Sequence, residues 1–389
     1  MSVTTPKGFI ATGGSMGIKP TGRPDVAIVA SATGAPIVAA ATFTTNLAAA
    51  ASVQWSRAAL EATCGEATAV LMTSGNANAA TGLAGKDAVA DLATAVANHF
   101  GVASNTVLVG QTGLIGIPFP LAATSDQLPG VLQTLGGTVA DGHRAAEAIM
   151  TTDTFAKEVV VEGPGFSVGG MAKGAAMLAP NMATMLCVLT TDAAVEATVL
   201  KERLLAAVEV TFNRLLTDGA RSTNDTVICL ASGVAGPADP DALEAALTEA
   251  CASLAEMMAE DAEGATKVIH LVVQGATDDA AAHAAARNVA DSLLVKCSMN
   301  GEDPYWGRVV SELATAGVPF DLDRCDVSYG GITVCRGGEA VTHDVVAVAA
   351  HMRERHIMLT CDLGLGEGAA TMLTVDLGYG YIDENRTTS

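Results

Sequence analysis

The sequence is poor in several features that mark common classes of protein. Aromatic residues make up 4% of its 389 residues and charged residues 16%, whereas 50% are hydrophobic. So apolar a composition can bury a substantial core, which excludes intrinsic disorder of the whole chain. The 21 basic residues face 42 acidic ones, giving a net charge of −21. Because a nucleic-acid-binding surface needs excess positive charge, nucleic acid is not expected as a partner.

Signals for export, membrane insertion and disulfide formation are also missing. Residues 1–9 contain no apolar segment of signal-peptide length, so we expect a cytoplasmic protein. The uncharged stretch 26–54 is interrupted by Gly34 and Pro36, and it predicts buried strands instead of a membrane span. The eight cysteines form no Cys-x-x-Cys pair, and most have apolar neighbours, as is typical of reduced core thiols.

Familiar motifs for metal, hydrolase and dinucleotide sites are absent or lie in the wrong context. None of the seven histidines forms a His-x-x-x-His pair, so we predict no metal site. Residues 13–17 match Gly-x-Ser-x-Gly, but Gly8 before them and Pro20 after them predict a turn instead of a strand–Ser–helix elbow. The glycines of 364–368 precede a strand, and they too predict turns.

Hydrophobic periodicity predicts both strands and helices along the chain. Strands are predicted at 25–31, 37–44, 67–74, 106–110, 185–190, 267–274, 332–336, 357–362 and 371–377, with a hairpin at 159–168. Helices are predicted at 89–100, 200–212, 239–258 and 280–294. With no repeat of 20–50 residues, this mixture predicts an α/β or α+β fold in which helices are layered on sheet.

Two uncharged, glycine-rich stretches contain single polar residues. One is Gly110–Gly116, which follows a predicted strand, and the other begins at Lys173 and continues without charge until Asp192. Pro180 breaks any helix in the second stretch. From the pattern alone, Thr184 is more simply an ordinary strand residue, and Lys173 a lysine extending from an apolar surface. A catalytic role is the alternative for both residues.

Six motifs together change this interpretation, because the chain resembles the ornithine acetyltransferase (glutamate N-acetyltransferase) family. The motifs appear in the family's order: Gln111-Thr112-Gly113-Leu114-Ile115-Gly116, Met150-Thr151-Thr152-Asp153-Thr154, Lys173–Leu186, Ser222-Thr223-Asn224-Asp225-Thr226, Glu263-Gly264-Ala265-Thr266-Lys267 and Gly301-Glu302-Asp303-Pro304-Tyr305-Trp306-Gly307-Arg308. The likeness runs from about residue 8 to the C-terminus. A single motif of this kind is weak, whereas six in order are highly specific.

The resemblance implies that the chain cleaves itself between Ala183 and Thr184. The products are an α chain of residues 1–183 and a β chain of 184–389 that includes a smaller C-terminal domain from about residue 275. The Thr184 hydroxyl attacks the preceding carbonyl, and water hydrolyses the resulting ester. The new α-amine, with an ordinary pKa of about 7.7–8.0, can then act as the base beside the hydroxyl.

The family's reaction implies a role for each matched residue. Thr184 takes the acetyl group from N2-acetyl-L-ornithine and passes it to L-glutamate in a ping-pong cycle. Thr112, through its hydroxyl, and Gly113, through its backbone N–H, match the oxyanion donors. The substrate contacts carry over to Thr151, Lys173, Thr184, Glu263, Asn385 and Ser389. In our interpretation Lys173 suits a carboxylate and Glu263 the ornithine ammonium.

Several positions depart from the family pattern. The final contact is uncertain between Thr388 and Ser389, because the spacing after Asn385 is one residue short. Gln111 replaces a small residue before Thr112, the 155–168 hairpin is shorter than usual, and Tyr305 stands where Asn is common. These changes bear on substrate choice more than on cleavage.

The resemblance further implies a layered α/β core with Thr184 at a central strand. It implies an α2β2 assembly and no metal or tightly bound cofactor. It leaves open whether acetyl-CoA is also a donor. Three alternatives remain: an N-terminal-threonine amidase or aminopeptidase that uses Thr184, an acyltransferase of secondary metabolism, and a non-catalytic binding protein that keeps the fold.

Overall fold

The computed structural model describes residues 1–178 and 185–386. Within these residues the strands are β1 (Phe9–Gly14), β2 (Val26–Ser31), β3 (Ile37–Phe43), β4 (Glu66–Ala67), β5 (Ala69–Asn76), β6 (Val107–Leu114), β7 (Lys157–Gly163), β8 (Phe166–Lys173), β9 (Leu186–Ala194), β10 (Leu215–Leu216), β11 (Thr226–Pro237), β12 (Val268–Ala276), β13 (Asp326–Tyr329), β14 (Ile332–Arg336), β15 (Glu339–Ala340), β16 (His356–Asp362) and β17 (Gly368–Val375).

The α-helices of the same residues alternate with these strands. They are α1 (Ala51–Ala62), α2 (Gly82–Phe100), α3 (Leu121–Ser125), α4 (Leu128–Leu132), α5 (Val139–Ile149), α6 (Ala197–Val210), α7 (Pro240–Glu260), α8 (Asp279–Asp291), α9 (Leu293–Asn300), α10 (Trp306–Ala314), α11 (Val345–Arg353) and α12 (Tyr379–Glu384). None of the helices in the described part of the chain combines the length and the apolarity that crossing a bilayer requires.

The described chain divides into two compact units. The first contains residues 1–213 and 220–258, and the second contains 214–219 and the described residues from 259 onward. The first unit has a four-stranded sheet in the order β1-β2-β5-β6 and a six-stranded sheet in the order β4-β3-β11-β9-β8-β7. Strands β5 and β6 are parallel, and so are β9 and β11. The strand β9, which follows the predicted cleavage site, is therefore an inner strand of its sheet.

The two sheets of the first unit share one core. A buried cluster combines Val29 and Leu108 of the four-stranded sheet with Val188 and Ile228 of the six-stranded one. Helix α5 contributes Ile149 to this cluster and packs against β1, β2 and β8. Helix α2 covers the opposite face of the four-stranded sheet. Its Val and Leu side chains pack with those of the sheet in a second buried cluster. The result is a layered α/β core.

Local sequence signals explain where several helices begin and end. Thr138 and Asp141 form a capping box at the start of α5, in which each side chain accepts a hydrogen bond from the other residue's backbone N–H. Helix α2 ends at Gly101, whose φ of 70° is the left-handed conformation that glycine adopts most easily. Pro240 occupies the first turn of α7, where its missing N–H has no cost.

The second unit contains one seven-stranded mixed sheet in the order β10-β17-β12-β16-β13-β14-β15. Strand β12 is parallel to β16 and antiparallel to β17. Helix α8 packs on β12 and β17, and its buried alanines join Leu271, Leu359 and Met372 in a separate core. This unit therefore has the layered organisation of an α/β domain in its own right.

The mixed α/β class is confirmed, and most predicted strands and helices are present with shifted ends. The strand predicted at 106–110 continues to Leu114, because the following polar residues are buried in pairing with β5. Gly13 and Gly14, predicted in a turn, instead end strand β1, which pairs with β2. The helix predicted at 280–294 stops at Asp291, since Ser292 caps a new helix, α9, by accepting from the Val295 N–H. Six of the eight cysteines are buried free thiols, as predicted.

Candidate active site

The predicted oxyanion donors lie at the end of the buried strand β6. Thr112 is 2% exposed, and parallel pairing places it opposite Ser74 and places Gly113 opposite Gly75. Gly113 has a φ of 133°, and a Cβ there would stand 2.3 Å from the carbonyl carbon of Gly75. Glycine is therefore required at this position on two grounds, backbone conformation and close approach of the neighbouring strand.

Gln111, the residue that departs from the family pattern, fits into a buried polar network. Its side-chain oxygen accepts a hydrogen bond from Asn78 Nδ2 at 2.9 Å, and its Nε2 donates to Thr73 Oγ1 at 3.3 Å. Because successive side chains in a strand point to opposite faces, Gln111 points away from the face that Thr112 presents. The Gln111 side chain is thus held by buried hydrogen bonds on the face of the sheet opposite to Thr112.

The Ser-Thr-Asn-Asp motif at 222–225 connects β6 to the strand that follows the predicted cleavage site. Asn224 Nδ2 donates to the backbone oxygen of Gln111 at 2.8 Å and to that of Ala77 at 2.6 Å. The next residue, Asp225, accepts a hydrogen bond from the Met185 N–H at 3.0 Å. Burial raises the pKa of Asp225 well above its usual range, although this N–H and the charge of Lys173 act in the opposite direction.

The predicted cleavage residues Ala183 and Thr184 lie outside the residues that the structure describes. The described residues on either side, Leu178 and Met185, are both buried. Immediately after Met185 the chain enters β9, between β8 and β11. The assignment of Thr184 as the nucleophile therefore stays a prediction.

The predicted substrate residues Thr151 and Lys173 lie on either side of a buried carboxylate. Asp153 accepts hydrogen bonds from the Thr151 N–H at 2.9 Å and from the Gly174 N–H at 2.8 Å, so it joins the segments that carry both residues. It also accepts from Lys157 Nζ at 2.7 Å. Burial acts to raise the pKa of Asp153, but the charges of Lys173 and Lys157 outweigh it and lower the pKa to about 2.

A hydrogen bond also joins the β6 region to the Thr151 region. Ser74, the register partner of Thr112, donates its hydroxyl to the backbone oxygen of Ala148 at 2.6 Å, in the last turn of α5. The chain leaves α5 at Met150 and continues directly into Thr151. Four residues predicted from the sequence, Thr112, Gly113, Thr151 and Lys173, are thus held in one connected part of the first unit.

In the second unit, the structure brings the predicted substrate residues Glu263 and Asn385 into contact. Asn385 Nδ2 donates to Glu263 Oε2 at 2.8 Å and to the backbone oxygen of Tyr381 at 3.0 Å. Gly264 allows this arrangement, since a Cβ there would stand 2.0 Å from the Tyr381 nitrogen. The predicted final contact, Ser389 or Thr388, lies outside the described part of the chain.

The sequence assigned no role to three residues that organise this region. Asp153 and Asp225 belong to the matched motifs, and Lys19 lies two residues after the segment predicted as a turn. The signal that could have identified them is an ionisable side chain within an otherwise uncharged, apolar segment. Asp153 and Asp225 are 4% and 0% exposed, which is unusual for charged residues without a structural or functional reason.

The chain is similar to known proteins over nearly its whole length. The model of the ArgJ family matches residues 10–387. The arginine biosynthesis bifunctional protein ArgJ of Streptomyces coelicolor is 44% identical over 393 residues, covering 100% of both chains, and that of Thermobifida fusca is 44% identical over 394 residues with the same coverage. A solved ornithine acetyltransferase from Mycobacterium tuberculosis, complexed with ornithine, is 34% identical, covers 48% of this chain and 96% of its own, and has a TM-score of 0.42. Because the family model matches nearly the whole sequence, this chain belongs to the ArgJ family.

Proposed function

We propose that this enzyme transfers the acetyl group of N2-acetyl-L-ornithine to L-glutamate through an acetylated Thr184. The chain is an acyltransferase of arginine biosynthesis by its family. The observation that carries the finer proposal is the extent of the match, since residues 10–387 include every residue given a chemical role above except the final contact, Thr388 or Ser389. The buried connections among Thr112, Thr151 and Lys173 support it further.

The first step of the proposal is self-cleavage. The Thr184 hydroxyl oxygen attacks the carbonyl carbon of Ala183, the C–N bond breaks, and the proton of the hydroxyl passes to the departing nitrogen. Water then hydrolyses the ester to leave a carboxylate on Ala183 and a free amine and hydroxyl on Thr184. The bond between Asp225 and the Met185 N–H supports this step, because it fixes the peptide immediately after Thr184.

The second step is the transfer itself. The freed α-amine of Thr184 removes the proton of its own hydroxyl, which attacks the acetyl carbonyl of the donor, and ornithine leaves with that proton. Glutamate then takes the acetyl group by the reverse sequence. Thr112 and the Gly113 N–H stabilise the oxyanion in both halves, and one such donor is worth about 100- to 1,000-fold in rate. Lys173 binds a substrate carboxylate, while Glu263, aligned by Asn385, binds the ornithine ammonium.

The same proposal includes a cytoplasmic location and an α2β2 assembly of the cleaved chains. It leaves acetyl-CoA as an optional second acetyl donor. These parts rest on the family resemblance.

The test compares the wild-type protein with Thr184→Ala and with Thr198→Ala, a matched change at an exposed position on α6. Intact masses are measured under denaturing conditions. We expect the wild type and Thr198→Ala each to give two species, one that ends at Ala183 and one that begins at Thr184. Thr184→Ala should give one uncut chain. The cleaved proteins should then form N-acetylglutamate from acetylornithine only when glutamate is present.

Each contrary outcome favours a different alternative. An uncut wild-type chain would leave Thr184 without its amine and would favour a binding protein. Release of free acetate without glutamate would favour an amidase. Cleavage together with transfer to an acceptor other than glutamate would favour an acyltransferase of secondary metabolism.

A further inference from the structure

Lys19, in the loop between β1 and β2, has an ammonium group held at a fixed position. Its Nζ donates to the backbone oxygens of Pro24 and Met150, both at 2.7 Å. The loop itself is organised by Asp25, a fully buried carboxylate that accepts three backbone N–H groups of the loop at 2.6, 2.6 and 3.1 Å. The position of Lys19 is thus set by two hydrogen bonds and by the buried carboxylate of Asp25, unlike that of a lysine extending freely from a surface.

This position lies between two parts of the candidate active site. A Cβ at Gly75 would stand 3.0 Å from Lys19 Cγ, so the lysine stem lies against Gly75, the register partner of Gly113. Met150, whose carbonyl accepts from the ammonium, directly precedes Thr151. Lys19 therefore contacts β5, the strand that pairs with the predicted oxyanion strand β6, and also the residue that precedes the predicted substrate contact Thr151.

The two acceptors of the Lys19 ammonium leave one of its N–H donors for a ligand. Of the described residues, none contributes a carboxylate within ion-pair distance of Lys19 Nζ, and its two acceptors are neutral carbonyls. An ammonium has three N–H donors. Of the nearby charged groups, Asp25 and Asp153 act to raise the pKa of Lys19, while Arg23 and Lys173 act to lower it. Burial is the largest influence and lowers it to about 8.

The substrate's own covalent geometry suggests what this cation would bind. In an N2-acylated amino acid, the α-carboxylate carbon is three bonds from the acyl carbonyl carbon, a span of roughly 4 Å. Neighbouring strands are about 4.8 Å apart. The α-carboxylate of an acyl group held at Gly113 can therefore reach the neighbouring strand at Gly75, against which the Lys19 stem lies.

We propose that Lys19 binds the α-carboxylate of the amino-acid substrate whose acyl group is held by Thr112 and Gly113. This assignment rests on the proposed acetyl transfer and adds a second cation beside Lys173. It makes Lys19 a specificity residue for α-amino acids, because an amine acceptor without an α-carboxylate would lose this contact.

The test uses two ligands that differ in the carboxylate alone. Binding of ornithine and of ornithinamide to the cleaved enzyme is measured by calorimetry at one pH, without an acyl donor. The variants are Lys19→Met, Lys19→Gln and Lys19→Arg, with Lys201→Met on the exposed side of α6 as the control. Lys19→Gln keeps N–H donors for the two backbone carbonyls, so it decides the question if Lys19→Met fails to fold.

We expect the uncharged variants to bind ornithine about 10- to 100-fold more weakly, the loss typical of one hydrogen bond to a charged group. Their affinity for ornithinamide should stay within about twofold of wild type. Lys19→Arg should retain most of the preference for ornithine because the guanidinium keeps the charge, and Lys201→Met should match the wild type.

Equal losses for both ligands, or no loss for either, would overturn the assignment of Lys19 while the proposed function stands. A cleaved wild-type enzyme that binds ornithine and ornithinamide equally would overturn the carboxylate contacts of both Lys19 and Lys173, and with them that part of the proposed function. A wild-type protein that binds neither ligand would overturn the proposed function and this inference together.

Discussion

Replacing Asp153 by Asn tests whether buried electrostatics hold the candidate site together. The Asp153 and Lys157 side chains have no exposed surface, and they form an ion pair of 2.7 Å. The neutral amide would remove the negative charge that Asp153 places beside the buried Lys157 and Lys173. Removing one partner of a buried pair typically costs about 3–5 kcal/mol, since the other charge is left uncompensated.

The pKa of Asp153 gives a second measure of the same interaction. It is about 2 in the folded protein, against about 3.9 in an unfolded chain. Two pKa units correspond to about 2–3 kcal/mol of stability. We therefore expect Asp153→Asn to lower the free energy of unfolding at pH 7 by about 2–5 kcal/mol.

The assay is urea unfolding, with every variant made in the Thr184→Ala protein. Because that protein is expected to stay uncut, differences in cleavage do not affect the comparison. Asp87→Asn, at an exposed position of α2, is the matched control and should stay within about 0.5 kcal/mol of the parent. A loss below about 0.5 kcal/mol for Asp153→Asn would refute the reasoning, because it would mean that the two lysines do not depend on this carboxylate.

The pH dependence supplies an independent check with a definite sign. A carboxylate with a lowered folded pKa contributes its stability above the unfolded pKa and loses it as the pH falls through the folded pKa. The parent protein should therefore lose about 2 kcal/mol more than Asp153→Asn between about pH 4 and pH 2. Parallel curves for the two proteins in that range would contradict the assignment.

Two further predictions concern the residues around the oxyanion and the carboxylate. Gly113→Ala should lower kcat by at least about 100-fold and destabilise the fold, because its Cβ would stand 2.3 Å from the Gly75 backbone and displace the Gly113 N–H. Gly130→Ala, where a Cβ meets nothing within 4 Å, is the control. Normal turnover by Gly113→Ala would show that this close approach does not position the N–H. Lys173→Met should raise KM for acetylornithine by about 10- to 100-fold through loss of a charged hydrogen bond, and unchanged KM and kcat would remove Lys173 from the site.

An element of this fold can be predicted from the sequence when residues close to it in the chain determine where it begins and ends. Capping residues, glycine turns and apolar periodicity are local signals, and they locate α7, the β7–β8 hairpin and the C-terminal end of α2 within a few residues, whereas α2 begins seven residues before the predicted start. The continuation of β6 to Leu114 could not be predicted in this way, because its polar residues are buried by pairing with β5 and by the Asn224 side chain. Asn224 lies 113 residues from Gln111 in sequence.

The residues of the candidate site also divide into those that local sequence motifs indicate and those that depend on long-range contacts. The motif resemblance identified Thr112, Gly113, Thr151 and Lys173, whose residue types carry recognisable chemistry. It gave no role to Asp153 or Lys19, because what matters about each is which distant backbone groups it contacts. Asp153 binds the Gly174 N–H, 21 residues away, and Lys19 binds the Met150 oxygen, 131 residues away. Such long-range contacts become visible only when the fold is known.

The strand order also bears on what happens after the proposed cleavage. In the six-stranded sheet, β11 and β9 belong to the part after Thr184, and strands from the part before it lie on both sides: β3 next to β11, and β8 next to β9. The β3–β11 ladder runs over Ala231–Thr226, and the β8–β9 ladder over Val168–Lys173. Separating the two products would break both ladders and expose the buried core between the sheets, so they should remain one folded body after cleavage. Cleavage must therefore be detected under denaturing conditions, because a native mass would be the sum of both chains and would differ from the uncut protein only by one water.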